Sequence, residues 1–219
     1  MKVKTFKVSS SYFKNQCYIV YNESSGLLID PAWDYDIINS FLIDQSISLK
    51  GILLTHSHHD HVNLVDQFTE KYNVPVFMSK TEADDYYFSC KNLHTIEHLE
   101  VFQLDTIMVK ALLTPGHTSG GTCFLVDHHL FTGDTVFIEG IGICDQKGSD
   151  VNAMFDSVQF LKSYLLDDTI FWPGHSFGQE PGKSLSFLME NNIYFQLEQR
   201  KYFTGFRMRK TQTSPINFK

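Results

Sequence analysis

The sequence predicts a single α+β domain closed by a short C-terminal helical extension. Three observations carry that prediction. β-prone segments alternate with amphipathic helical ones through the first half. In the second half, strands repeatedly end in a glycine followed by a histidine or an aspartate. Residues 182–203 hold Phe187, Leu188, Met189, Phe195 and Leu197 in a stretch that reads as one or two closing helices. A chain of 219 residues is long enough to bury a substantial core. We therefore divide it into a domain over 1–180 and an extension with a basic tail over 181–219.

Val3 to Val8, Cys17 to Tyr21 and Leu27 to Ile29 are short β-prone runs separated by polar, turn-forming residues such as Asn22-Glu23-Ser24-Ser25-Gly26, the pattern of an antiparallel meander. After Asp30-Pro31, the spacing of Ile37, Ile38, Phe41 and Leu42 predicts a helix toward Ser46. Gly51-Ile52-Leu53-Leu54 is then a buried strand, and Val62, Leu64, Val65 and Phe68 continue as a helix into Lys71, ending near Asn73. Val74 to Met78 returns as a strand with its proline at the start. Thr81 to Phe88 reads as a helix whose Tyr86, Tyr87 and Phe88 are assigned to the core. Further strands are expected at Val101 to Gln103, Ile107 to Leu113, Thr122 to Val126 and Leu130 to Thr132, then a helix around Val151 to Tyr164 and a strand before Gly174.

The strand at Gly51 to Leu54 delivers Thr55-His56-Ser57-His58-His59-Asp60-His61. Any one of these histidines alone would read as a surface or hydrogen-bonded core residue. Together they read as a metal site, because imidazole nitrogen and carboxylate oxygen are the donors that zinc, iron or manganese take. His56, His58 and Asp60 alternate, so an extended backbone points them to one side. A turn after Ser57 would let Asp60 and His61 reach a second position, and His59 should face away as a bystander. Three later strands end in Gly116-His117, Gly133-Asp134 and Gly174-His175, so ligands arrive from several strand termini while loops leave room for a substrate. His94 and His98 are read as surface residues, and His128 and His129 as exposed turn residues.

Charge and cysteines narrow the setting. The net charge is -7, yet residues 200–219 contain Arg200, Lys201, Arg207, Arg209, Lys210 and Lys219 with no acidic residue. Such a tail is either a solvated helix end or a docking patch for an anionic substrate or an acidic partner. Cys17, Cys90, Cys123 and Cys144 lack paired spacing, which fits free thiols in a reducing cytoplasm. No secretory or membrane-spanning apolar segment is read, so a cytoplasmic location without membrane association is expected.

His56-x-His58-x-Asp60-His61, followed by His117, Asp134 and His175, resembles the metallo-β-lactamase fold superfamily over about Cys17 to His175. The resemblance implies a four-layer αββα sandwich of two mixed sheets, with a dinuclear metal site along one edge. It implies two zinc ions per chain: His56, His58 and His117 on the first, Asp60, His61 and His175 on the second, and Asp134 bridging. Asp60 and Asp134 would be the carboxylates closest to the chemistry. Asp30, in Leu28-Ile29-Asp30-Pro31, matches a position that supports the ligand loop.

Within the superfamily the chain is similar to glyoxalase II, which hydrolyses thioesters; the cysteine ligand and signal peptide usual in secreted β-lactamases are not found. It departs from glyoxalase II at Phe177 and in its short remainder, which argues against glutathione recognition. Phe206-Arg207-Met208-Arg209-Lys210 and Glu180-Pro181-Gly182-Lys183 are instead similar to zinc-dependent hydrolases of bacterial polyketide biosynthesis. That similarity implies acyl thioesters on an acyl carrier protein, with Arg207, Arg209 and Lys210 as contacts to the carrier or its phosphopantetheine. The alternatives are a hydroxyacylglutathione hydrolase or an iron-dependent persulfide dioxygenase. Phosphodiester hydrolysis on nucleic acid is disfavoured by the acidic body, and a non-catalytic role by the complete donor set.

Overall fold

The computed structural model describes residues 1–209. Its first half is β1 (Lys2–Ser9), β2 (Lys14–Tyr21), β3 (Ser25–Ile29), α1 (Tyr35–Asp44), β4 (Ser48–Leu53), α2 (His59–Val62), α3 (Val65–Tyr72), β5 (Val76–Ser79), α4 (Lys80–Asp85) and β6 (Leu93–Ile96). These strands form one sheet in the order β1-β2-β3-β4-β5-β6. β1 to β3 are the expected antiparallel meander, and β3 to β6 run parallel because a helix crosses over between each pair. Local signals fix the helix ends. The Asp34 carboxylate caps α1 at the Ile37 amide, the Ser79 hydroxyl caps α4 at the Glu82 amide, and Asn73 ends α3 in the left-handed region at φ 50°. The polar stretch around His94 is in fact the edge strand β6. Only Ile96 is buried there, so an edge position leaves little apolar pattern to read.

The second half contains β7 (Val101–Leu104), β8 (Ile107–Leu113), β9 (Thr122–Val126), β10 (His129–Gly133), α5 (Val151–Tyr164), β11 (Ile170–Pro173), β12 (Lys183–Ser184), α6 (Leu185–Asn191), α7 (Ile193–Gln196) and α8 (Arg200–Arg207). Its sheet has the order β12-β11-β10-β9-β8-β7, antiparallel except for β10 and β11, which α5 connects. The closing region is three short helices rather than one or two. Asn192 breaks them, accepting from the Tyr194 amide and donating to the Phe137 and Gly140 carbonyls.

Side-chain alternation builds the layers. In β3, Leu27 and Ile29 face the other sheet while Leu28 faces the helices. Between the sheets lie Tyr18, Leu53, Ile107, Val109, Phe124 and Phe131. Outside the first sheet, Ile38 and Leu42 of α1 pack with Phe68 of α3. Outside the second, Val158 and Leu161 of α5 meet Leu188, Phe195 and Phe203 of the closing helices. This is the α+β four-layer sandwich that the sequence resemblance implied. No helix of the described residues is long and apolar enough to cross a membrane.

The two sheets are stitched where the ligand-bearing loops emerge. Thr122 donates its amide to the Thr55 carbonyl at 2.9 Å and Gln16 to Gly174 at 2.8 Å, each across the sheets, and within the second sheet Gly174 donates to Gly133 at 2.8 Å. Thus the ends of β2, β4, β10 and β11 converge.

Candidate metal centre

Beyond β4 the chain bends at Thr55, and His58, extended at φ -60° and ψ 140°, directly precedes α2. The turn therefore falls after His58, one residue later than the sequence suggested. The first turn of α2 then swings Asp60 and His61 toward the site and leaves His59 exposed, edge-on to Trp33 at 5.7 Å. His56 and His61 are buried to 1 % exposure.

Two groups of donors result. One donor atom each from His56, His58 and His117 lies within 4.8 Å of the others, and the same holds for Asp60, His61 and His175. Asp134 stands between the groups. Its Oδ2 is 3.7 Å from His117 Nε2 and 3.4 Å from His175 Nε2, and its Oδ1 is 3.4 Å from His61 Nε2. All seven donors selected from the sequence thus meet at one edge of the sandwich.

Outward contacts orient the rings. Asp30 accepts from the Thr55 amide at 2.8 Å and hydroxyl at 2.6 Å, and its Oδ2 lies 2.9 Å from His61 Nδ1. His117 donates from Nδ1 to the Ile143 carbonyl at 2.8 Å, and His175 donates from Nδ1 to the Lys14 carbonyl at 2.6 Å. Backbone makes room for this crowding at two glycines. Gly133 sits at φ 48° with Thr55 in the space a Cβ would need, and at Gly174 a Cβ would come 2.5 Å from the His61 ring and 2.6 Å from Asp134 Oδ1.

Burial and neighbours divide the titrations. Burial lowers His56 and His117 well below or below the ordinary imidazole value, helped by neighbouring rings. For His61 and His175 burial is the largest effect and acts downward too, but carboxylates together outweigh it, Asp134 with Asp30 raising His61 well above its usual value and Asp134 with Asp60 raising His175 to about 10. Burial would raise Asp134, yet the charges of His175 and His61 hold it well below the carboxylate range. Asp60 is likewise held low, mainly by its bond with His175 against the effect of burial.

The donor set fits a metal on an observation independent of these charges. Buried His56 Nε2, His61 Nε2 and Asp134 Oδ1 have no hydrogen-bond partner and point into the cluster. Uncompensated buried polar atoms are costly, and nitrogen and oxygen donors facing one another suit a divalent cation.

Residues 13–175 match the Metallo-beta-lactamase superfamily. The chain belongs to that superfamily. It is 43 % identical over 220 residues to BaeB of Bacillus velezensis and 44 % identical over 220 residues to PksB of Bacillus subtilis, each described as a probable polyketide biosynthesis zinc-dependent hydrolase. Both alignments cover 100 % of this chain and 98 % of the relative. A hydroxyacylglutathione hydrolase of Francisella philomiragia is 32 % identical over 82 % of this chain, which spans 69 % of that protein. In fold, the ETHE1 structure from Myxococcus xanthus superposes with a TM-score of 0.84 at 24 % identity, covering 94 % of this chain and 90 % of that one.

Several superfamily-site contacts escaped the sequence reading. Glu82 is fully buried and accepts from the Ser57 amide and hydroxyl, both at 2.8 Å, and from the Gly120 amide at 3.1 Å, so it ties the His56–His58 loop to the His117 loop. Asn15 donates to the Asp60 carboxylate at 3.0 Å and its carbonyl at 2.9 Å. Neither stands out in a sequence, since a glutamate in a helix and an asparagine after a turn are ordinarily solvated.

Other expectations are corrected. His129 is not an exposed turn residue; at 7 % exposure it begins β10 and accepts from Trp172 Nε1 at 3.1 Å. Tyr87 is 88 % exposed rather than core, and Tyr86 lies beside His58, ring centroids 6.4 Å apart. Arg207, expected on an exposed docking patch, is 4 % exposed and donates from Nε to the Gly142 carbonyl at 2.9 Å. Arg209 lies over the Phe206 ring at 4.2 Å. Lys210 lies outside the described residues. Among the described residues, Lys7 and Lys14 line a cavity of about 320 Å³ beside the site with Asn15, Gln16, Ser176 and Glu180, Lys7 being paired with Glu180 at 2.7 Å.

Proposed function

We propose that this chain is a metal-dependent hydrolase of acyl thioesters, acting on acyl groups held by an acyl carrier protein in polyketide biosynthesis. One observation carries the hydrolase reading: two donor groups, His56/His58/His117 and Asp60/His61/His175, flank Asp134, and within them His56 Nε2, His61 Nε2 and Asp134 Oδ1 are buried without a hydrogen-bond partner. The pathway and carrier rest on similarity along the whole chain to the two Bacillus hydrolases.

In this reading His56, His58 and His117 would hold one zinc ion and Asp60, His61 and His175 a second, with the Asp134 carboxylate within 3.7 Å of rings from both groups. Divalent cations bound there would supply Lewis acidity, enough to make a water nucleophilic near neutral pH and to polarise a carbonyl. The protein's part is placement. Asp30 and the Ile143 and Lys14 carbonyls fix ring directions, so the donors are preorganised. Asp60, held by Asn15 with Oδ2 3.4 Å from His175, serves first as a donor of the second group, and any part in proton transfer ranks below that. A thiol leaves with a pKa of about 8.5, so no separate acid is required.

The test is the metal content of purified protein, together with hydrolysis of one acyl group presented on acyl carrier protein and on glutathione. The expected result is two zinc ions and a higher kcat/KM on the carrier. Preference for glutathione would transfer the protein to the hydroxyacylglutathione hydrolases. A single iron with oxygen uptake on a persulfide would overturn the hydrolase reading.

A further inference from the structure

The segment between Asp134 and α5 is held from two sides. On its inner side Ile143 accepts from His117 Nδ1 at 2.8 Å. A carbonyl only accepts, so this bond puts the proton on Nδ1 and turns a bare Nε2 toward His58 and Asp134. Gly142 packs so closely against the Asp134 carbonyl and His117 Cβ that a side chain has no room there. On the outer side Arg207, at the end of α8, donates to the Gly142 carbonyl and lies within hydrogen-bonding reach of the Cys144 and Tyr194 side chains. A guanidinium this buried is retained only when hydrogen bonds compensate its desolvation, and a lysine cannot reproduce its planar donor geometry.

We infer that Arg207 is a positioning residue of the metal centre: by fixing the Gly142–Ile143 segment, it sets the ring direction and tautomer of His117. The inference rests on the metal-centre reading above. It gives α8 a role in the site although Arg207 lies beyond the superfamily match at 13–175, and it replaces carrier docking as the work of this side chain.

The experiment compares wild type with Arg207→Met, Arg207→Lys and Arg200→Ala. Arg200 pairs with Asp156 at the surface and serves as the charge control. Zinc affinity is measured by chelator competition, the geometry of the site by the visible spectrum of the cobalt-substituted protein, and kcat and KM on one thioester. Arg207→Met should weaken zinc binding about tenfold to a hundredfold and shift the cobalt spectrum. Its kcat should fall while KM stays within about twofold. Arg207→Lys should restore part of each loss, and Arg200→Ala should match wild type. If Arg207→Met does not fold, Arg207→Lys carries the comparison, because it keeps the charge and loses the Nε–H.

Unchanged zinc affinity and cobalt spectrum, with lower thermal stability alone, would reduce Arg207 to a fold brace and overturn the inference. A raised KM for carrier-bound substrate with unchanged kcat and spectrum would also overturn it, in favour of docking. A wild-type protein that binds neither zinc nor cobalt would instead remove the metal-centre reading beneath it.

Discussion

Asp30 combines a left-handed backbone with three side-chain contacts to the ligand loop. At φ 49° it occupies a region that asparagine and aspartate tolerate better than most residues. Its carboxylate takes the Thr55 hydroxyl, so the Thr55 oxygen is left to accept from His56 Nδ1, 3.0 Å away, while Asp30 Oδ2 faces His61 Nδ1 directly. One carboxylate therefore orders both imidazoles with Nε2 inward, which accounts for two of the unpartnered atoms in the cluster. Asp30→Asn keeps the backbone preference but replaces one acceptor oxygen with a donor. We expect a native fold with zinc binding about tenfold to a hundredfold weaker, measured by chelator competition. Unchanged affinity would confine Asp30 to a structural role. The same scale shows what a sequence can reveal. The seven donors were legible because four fall within six residues and the other three each follow a glycine. Glu82 and Arg207 were not, because a buried charge is recognised by its partners, and theirs are backbone groups many residues away.

At the scale of elements, strands that carry ligands were the easiest to read, since each is a short apolar run ending in glycine or a polar cluster. β6 and the two-residue β12 were missed because each sits at a sheet edge, where one face is solvated and alternation is short. The closing helices show how burial, rather than propensity, defines an element. On α8, Phe203 is fully buried against Phe155 and Tyr194, while the adjacent Tyr202 is 57 % exposed. Phe203→Ala should cost about 3–5 kcal/mol through the cavity it opens. Tyr202→Ala should stay within about 0.5 kcal/mol. Urea titration of the two variants checks the contrast; equal costs would mean that α8 is not docked through this face.

At the scale of the whole molecule, the site lies on the seam between two sheets, so metal binding and folding are coupled. Loops from both sheets contribute to it: His56, His58, Asp60 and His61 follow β4, whereas His117, Asp134 and His175 follow β8, β10 and β11. A cation bound only by the native state at about a thousand times its Kd stabilises by about 4 kcal/mol. At about 2–4 °C per kcal/mol for a chain of this size, chelation should lower Tm by about 8–16 °C. The loss should also depend on pH. In metal-free protein His175 titrates near 10, above its unfolded value, so its ion pair with Asp134 stabilises fully below about pH 6.5. That contribution disappears as pH rises through about 10. Asp134 has the opposite sense, its contribution being complete above the ordinary carboxylate value and lost only as pH falls well below it. Metal-free protein should therefore lose Tm between pH 7 and 10, while zinc-loaded protein should not, because coordination would already have replaced the Nε2 protons. Zinc uptake at pH 7 should accordingly release protons from His61 and His175, measurable by calorimetry in buffers of different ionisation enthalpy. Zinc binding without proton release would show that these two rings are not displaced from their carboxylates, and would place the metal elsewhere.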